Sequence, residues 1–146
     1  MSRSHPILFA FALLALPVIG CGTRSGPTRA SVEGLVSVDG EPIETGSITF
    51  TPTEGTSGPI AGGPIAHGRY RIDSGAGPVV GRQLVSIRGL KKSGRQVPVT
   101  ADAELPRGGL VEELIPAVPP QYNDRTTLVR EIVRGHQKME FELKSE

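Results

Sequence analysis

From Ser31 onward, apolar or small residues alternate with polar ones. Val32, Gly34, Val36 and Val38 fall on one side of an extended chain, with Glu33, Leu35 and Ser37 on the other. A period of two predicts a half-buried strand. Asp39-Gly40 follows and predicts a tight hairpin turn, because both residues tolerate positive φ. Ser47-Ile48-Thr49-Phe50-Thr51 repeats the alternation with Ile48 and Phe50 inward, and Pro52 to Pro64, dense in Gly, Pro, Ser and Thr, predicts a loop. Ile65 to Ile72 predicts a strand end, a turn at His67-Gly68 and a strand burying Tyr70 and Ile72. A second loop, Ser74 to Gly81, precedes Gln83 to Arg88, where Val85 and Ile87 share a face.

Residues 89–117 are the least regular, broken by Pro98, Pro106, Gly108, Gly109 and Pro116; Leu110 to Ile115 fits either one helical turn or a short strand. Pro119 to Asp124 predicts a rigid turn and Thr126 to Val133 a strand. Arg134 to Gln137 predicts a turn, and Lys138 to Leu143 a last strand with Met139, Phe141 and Leu143 inward. About seven strands separated by turns, with no convincing helix, predict an all-β fold: a single antiparallel β-sandwich of Ig-like architecture.

The chain before this pattern is different in kind. After Arg3, Ile7 to Leu16 is an unbroken apolar run of about ten residues, half the roughly 20 that a spanning helix needs, so it reads as the apolar core of a secretory signal. Val18-Ile19-Gly20-Cys21 closes it and resembles the bacterial lipobox: a branched aliphatic, an aliphatic or small residue, Gly or Ala, then Cys. The resemblance implies a diacylglyceryl thioether on Cys21, cleavage between Gly20 and Cys21, and an acyl chain such as palmitate on the new amino group. One chain of that kind binds a bilayer marginally; two or three anchor it. The alternative is a plain secretory signal with a cysteine near its end. The sequence holds one cysteine, so no disulfide can staple the fold, and a lipidated Cys21 is no nucleophile. Gly22 where some inner-membrane lipoproteins carry Asp favours the outer membrane over the inner.

Gly22 to Ala30 is small, polar and turn-rich. It reads as a tether, or in part as an irregular first strand. The expected organisation is a signal peptide over 1–20, a lipidated tether over 21–30 and one domain over 31–146.

Three segments of that domain resemble carboxypeptidase regulatory-like (transthyretin-like) domains. Val32 to Ile43 and Gly46 to Phe50 are similar to the family's opening: a Gly-x-Val strand, an Asp-Gly-x-Pro turn and a Val/Ile-x-Phe strand. His67-Gly68-Arg69-Tyr70-Arg71-Ile72 resembles its Asp-Gly-x-Tyr-x-Ile element, with His67 where Asp is usual. Gly81 to Ile87 resembles its Gly-x-Tyr-x-Val-x-Ile strand, with Gln83 or Leu84 where an aromatic is usual. The resemblance implies a non-catalytic module of an exported or cell-surface protein.

Candidate chemistry is sparse. Lys+Arg 16 against Asp+Glu 15 leaves no basic footprint for nucleic acid. Aromatics at 4 % with no Trp leave little for a sugar or base platform. His67 and His136 each flank a glycine in a predicted turn; a zinc site would want three or four ligands, and they read as surface turn residues. No Gly-x-Ser-x-Gly elbow is present. Glu112 and Glu113 have near-identical surroundings, which does not split their pKa values for acid/base work. Asp102, Glu104, Glu112 and Glu113 could approach calcium, without the spacing of an EF-type loop. Lys91-Lys92-Ser93-Gly94-Arg95 reads as a solvated basic loop or a contact for anionic headgroups. Tyr122 and Phe50 read as core anchors. The expectation is a non-enzymatic envelope lipoprotein without a cofactor other than its lipid, acting in structural or adhesive display toward an envelope protein. The alternative is a small-ligand or polysaccharide-binding accessory module.

Overall fold

The computed structural model describes residues 26–99 and 109–145, so Val18, Ile19, Gly20 and Cys21 lie outside the described residues. Ten strands follow in order: β1 (Ser31–Val38), β2 (Glu41–Pro42), β3 (Thr45–Pro52), β4 (Ala61–Ala66) and β5 (Arg69–Ile72), then β6 (Gly81–Pro98), β7 (Leu110–Pro116), β8 (Val129–Ile132), β9 (His136–Lys138) and β10 (Phe141–Leu143). The only helical element among the described residues is a 3-10 turn at Pro120–Tyr122. The fold is all-β, a β-sandwich-like sheet not closed into a barrel.

The sheet runs β10-β1-β5-β4-β3-β6-β7, with β8 also on β6 and β2 and β9 also on β1. It doubles over so that β8, carried on β6, meets β9 and β10 at the other end of the path. Arg130 of β8 stacks its guanidinium 5.3 Å above the Phe141 ring of β10, and Gln137 Oε1 accepts the Val133 N–H at 2.9 Å. Between the layers lie Val32 and Val36, Ile48 and Phe50, Tyr70 and Ile72, Val85 and Ile87, then Ile132, Phe141 and Leu143, all buried. The alternation in β1, β3, β5 and β6 therefore sorts inward from outward side chains as the pattern predicts.

Both predicted tight turns form. Asp39 and Gly40 have φ of 52° and 85°, and His67 and Gly68 have 48° and 74°. Positive φ at both central positions is the turn whose twist matches its flanking strands. His67 holds this conformation because His is among the residues that enter the left-handed region more readily.

Several boundaries differ from the sequence reading. Ten strands replace about seven. The expected loop from Pro52 to Pro64 ends early, because Ala61 to Pro64 pair along β3. Pro64 is tolerated there because β5 reaches only Ile65 and Ala66, leaving the rest of that β4 edge without a ladder for proline to break. In the irregular stretch 89–117, β6 continues to Pro98 and pairs with β7, so Leu110 to Ile115 is strand, not helix. The strand expected over Thr126 to Val133 shrinks to β8. His136 and Gln137, expected in a turn, begin β9.

The last predicted strand is divided into β9 and β10, and both run parallel to β1, where an antiparallel partner was expected. The register is the same on both sides of the break. At the break the Met139 carbonyl lies over Gly34, where an added Cβ would stand 1.7 Å from that oxygen. Only glycine admits this approach. The same carbonyl accepts the Tyr70 hydroxyl at 3.0 Å. Burial pushes the Tyr70 phenol well above its ordinary pKa, which keeps this donor protonated.

Part of the expected tether is already bound to the body. Val80 N donates to Thr28 O and Ala30 N to Pro78 O, each at 2.9 Å, and Ala30 is buried.

Candidate functional site

The lipobox residues lie outside the described part, as do Asp102 and Glu104.

On the outer face of β5, β1 and β9, neighbouring strands bring four side chains into line. Ser31 pairs with His136 and Glu33 with Lys138 across the parallel ladder, while Arg71 lies opposite Glu33 on β5. Ser31 Oγ is 3.0 Å from His136 Nδ1, and His136 Nε2 is 3.4 Å from Glu33 Oε1. Arg71 Nη1 donates to Glu33 Oε2 at 3.0 Å, and its Nε donates to Asp73 Oδ1 at 3.1 Å. Hydroxyl, imidazole and carboxylate stand in the order that nucleophilic catalysts use. Two features turn the row toward a structural role. The His136 side chain is 53 % exposed, so water competes for its nitrogens, and the carboxylate that would orient it is already shared with a guanidinium. A groove of about 640 Å³ includes Glu33, Leu35, Arg69 and Arg71, but neither Ser31 nor His136. The row ties β9 and β5 to β1.

His67 is elsewhere. Its Nδ1 is 3.5 Å from Glu44 Oε1 and its side chain is 80 % exposed. Gly68 O accepts from Val36 N, whereas His136 sits opposite Ser31; at about 3.3 Å per residue these positions are roughly 16 Å apart along β1. The two histidines do not share an end of the fold. Among the described residues no three His, Cys, Asp or Glu gather as a metal cluster.

The basic run and the glutamate pair face each other across β6 and β7. Lys92 Nζ is 3.4 Å from Glu112 Oε2. Arg95 donates to Glu113 through Nε at 2.9 Å and Nη2 at 2.7 Å, and Ser93 Oγ donates to Glu113 Oε2 at 2.8 Å. The Arg95 and Ser93 hydrogen bonds hold the Glu113 carboxyl below the usual glutamate range. Two of the run's three cations, Lys92 and Arg95, are therefore paired within the protein. The run also distinguishes the two glutamates more than their adjacency suggests.

Two further grooves flank the root of β7. One, of about 420 Å³, is formed by Thr45, Ser47, Arg88, Leu90, Pro116 and Val118 among others, and is mostly apolar; Arg88 is paired with Asp124 at its rim. The other, of about 430 Å³, runs from Asp39 to Pro120. Neither presents an exposed ring: Phe50, Tyr70 and Phe141 are buried and Tyr122 packs partly buried against the core. A glycan platform of stacked aromatics is absent among the described residues.

Gln83 escaped the sequence reading. It is fully buried; its Nε2 donates to Val79 O at 2.8 Å, and its Oε1 has no partner among the described residues. Nor could the Ser31–His136 contact be foreseen, since it depends on a parallel pairing between the two ends of the domain. Comparison with protein-family models, curated proteins and solved structures finds no match for this chain.

Proposed function

We propose that this chain is an exported bacterial lipoprotein, anchored through an acylated Cys21 and displaying its β-sandwich-like body as a non-catalytic structural or adhesive module of the cell envelope. The observation that carries the reading is Val18-Ile19-Gly20-Cys21 at the end of the apolar run. Cleavage between Gly20 and Cys21 would make the lipid the new N-terminus, with the outer membrane as the favoured site.

Two features of the body fit an anchored display module. Among the described residues Thr28 is the first bound to the body, and the chain from Cys21 to Thr28 spans at most about 25 Å when extended, so an anchored body would ride close to the bilayer. Val80, bonded to Thr28, directly precedes β6, and the strand then runs about 55 Å to Pro98 at 3.3 Å per residue. The end of β6 would thus stand away from the membrane, toward whatever the protein meets.

Mass spectrometry of the mature chain tests the proposal. The expected first residue is Cys21 with a diacylglyceryl thioether and an acylated amino group. Cys21→Ala should abolish incorporation of labelled palmitate and leave an unprocessed or released chain. A free thiol at Cys21, or labelling unchanged in the variant, would overturn it.

A further inference from the structure

Beyond Leu90, β6 leaves β3 and, among the described residues, pairs with β7 alone. The result is a two-stranded ribbon reaching out from the body. Isolated ribbons of this kind are marginal in water. Opposed residues of an antiparallel pair share a face, so one face reads, from root to tip, Leu90 with Pro116, Lys92 with Leu114, Gln96 with Glu112, and Pro98 with Leu110. Its leucines are 38 %, 45 % and 66 % exposed at Leu90, Leu114 and Leu110.

The edges of the ribbon are poorly suited to strand addition. Pro98 and Pro116 lack an N–H to offer, and the ladder is interrupted between Lys92 and Gln96, where Gly94 takes φ 79°. Prolines and irregularities of this type blunt edges. That leaves the leucine face as the surface to be covered.

The pattern on this face says what covers it. From root to tip it runs apolar, cationic, anionic, apolar. Turned end for end about a two-fold and laid on itself, the ribbon sets β6 on β6 and β7 on β7, so the Lys92–Leu114 row of one copy lies on the Gln96–Glu112 row of the other, with Lys92 diagonal to Glu112, and the reverse contact occurs by symmetry. The apolar tip row, Pro98 and Leu110, lands on the apolar root row, Leu90 and Pro116, where the 420 Å³ groove opens on the same face. The most exposed leucine of one copy thus reaches the apolar hollow of the other. A parallel arrangement would instead lay the Lys92 row on the Lys92 row and the Glu112 row on the Glu112 row. Within each ribbon Lys92 also pairs with its own Glu112, and Arg95 with Glu113, leaving Lys91 as the one ribbon charge without an ion pair among the described residues, which gives a strongly charged partner little to hold.

We infer that the ribbon is a homodimerisation arm: its leucine face packs antiparallel, about a two-fold axis, on the same face of a second copy. Such isologous pairing is the commonest route to a closed oligomer. The inference stands whether or not Cys21 carries lipid.

The test uses the full chain in excess detergent micelles, its mass followed by density-matched analytical ultracentrifugation. The unaltered chain is expected to dimerise. Lys92→Glu makes the facing charges all negative and Glu112→Lys makes them all positive; each should weaken self-association roughly a hundredfold, since opposed like charges are strongly disfavoured. Mixed together, the two variants should associate with each other while neither dimerises alone. A role confined to the Lys92–Glu112 pair within one ribbon cannot yield that rescue. Leu110→Asn, which leaves the charges untouched, should also weaken the dimer. A monomeric unaltered chain, variants that dimerise as well as it does, or no association on mixing would overturn the inference.

Discussion

Along β6 the residues from Gln83 to Ile87 and those from Gln96 to Pro98 follow the same pleat, but their surroundings differ. The first group pairs with β3 throughout and with β8 at Gln83 and Leu84, and its Val85 and Ile87 are fully buried. The second pairs, among the described residues, with β7 alone. In the body, alternation is converted into burial, and each inward side chain contributes the transfer free energy of its apolar surface. In the ribbon the same alternation leaves Leu110 and Leu114 in water, and pairing rests on the ladder and on Lys92–Glu112 and Arg95–Glu113. A strand pattern is thus a statement about hydrogen bonding in both regions and about a core in only one.

This contrast predicts a graded set of effects. Phe50→Ala, deep in the body, should cost about 3–5 kcal/mol in denaturant unfolding; a loss comparable to a surface change would remove the distinction. Gly34→Ala forces a methyl against the Met139 carbonyl and should cost about 1–3 kcal/mol as β9 and β10 shift, with new amide shifts clustered in those strands. Tyr70→Phe strips that carbonyl of a donor and should cost about 1 kcal/mol. The buried phenol also means that the intact Tyr70 resists ionisation. Its raised pKa contributes stability fully present below the ordinary phenol range near 10, lost as pH rises further. An ultraviolet titration in which one tyrosine ionises only on unfolding checks this.

In the ribbon, Leu114→Ser should change the unfolding free energy of the body by no more than about 0.5 kcal/mol, provided it is measured on dilute, dissociated chain. Amides of Val97 and Val111 should exchange well before those of Ile48 and Val85. Glu113 supplies the smallest signal. Its carboxyl is held below the usual glutamate value, so its contribution to the ribbon is present above about pH 4.3 and is lost as pH falls through the lowered value. A carboxyl NMR titration placing Glu113 at or above an ordinary glutamate would contradict the Arg95 and Ser93 contacts.

The body was readable because burial and turn chemistry are local. Val32, Ile48, Phe50, Tyr70 and Val85 announce their faces by spacing alone, and Asp39-Gly40 and His67-Gly68 announce their turns. The ribbon was obscured by Gly94, Pro98 and Pro116, which read as breakers when no partner strand is known. Ala61 to Pro64 was hidden for the same reason: Gly62, Gly63 and Pro64 signal a loop, and only the short reach of β5 makes them tolerable in a strand. Of the candidate chemistry, Lys91 to Arg95 and Glu112-Glu113 were visible as two charge groups, but not as each other's partners.

Local chemistry, then, was determined by the sequence: which residues alternate, where the chain must turn, which cysteine follows an apolar leader, and that β structure would dominate. The tertiary structure alone decided that the last strands run parallel to β1, that Met139 crosses Gly34, that Ser31 meets His136, and that β6 outruns its body. The physical reason is range. Periodicity and turn preference act within a few residues, whereas strand order and register are fixed by packing between segments up to a hundred residues apart, and a linear pattern carries no trace of the partner it will meet.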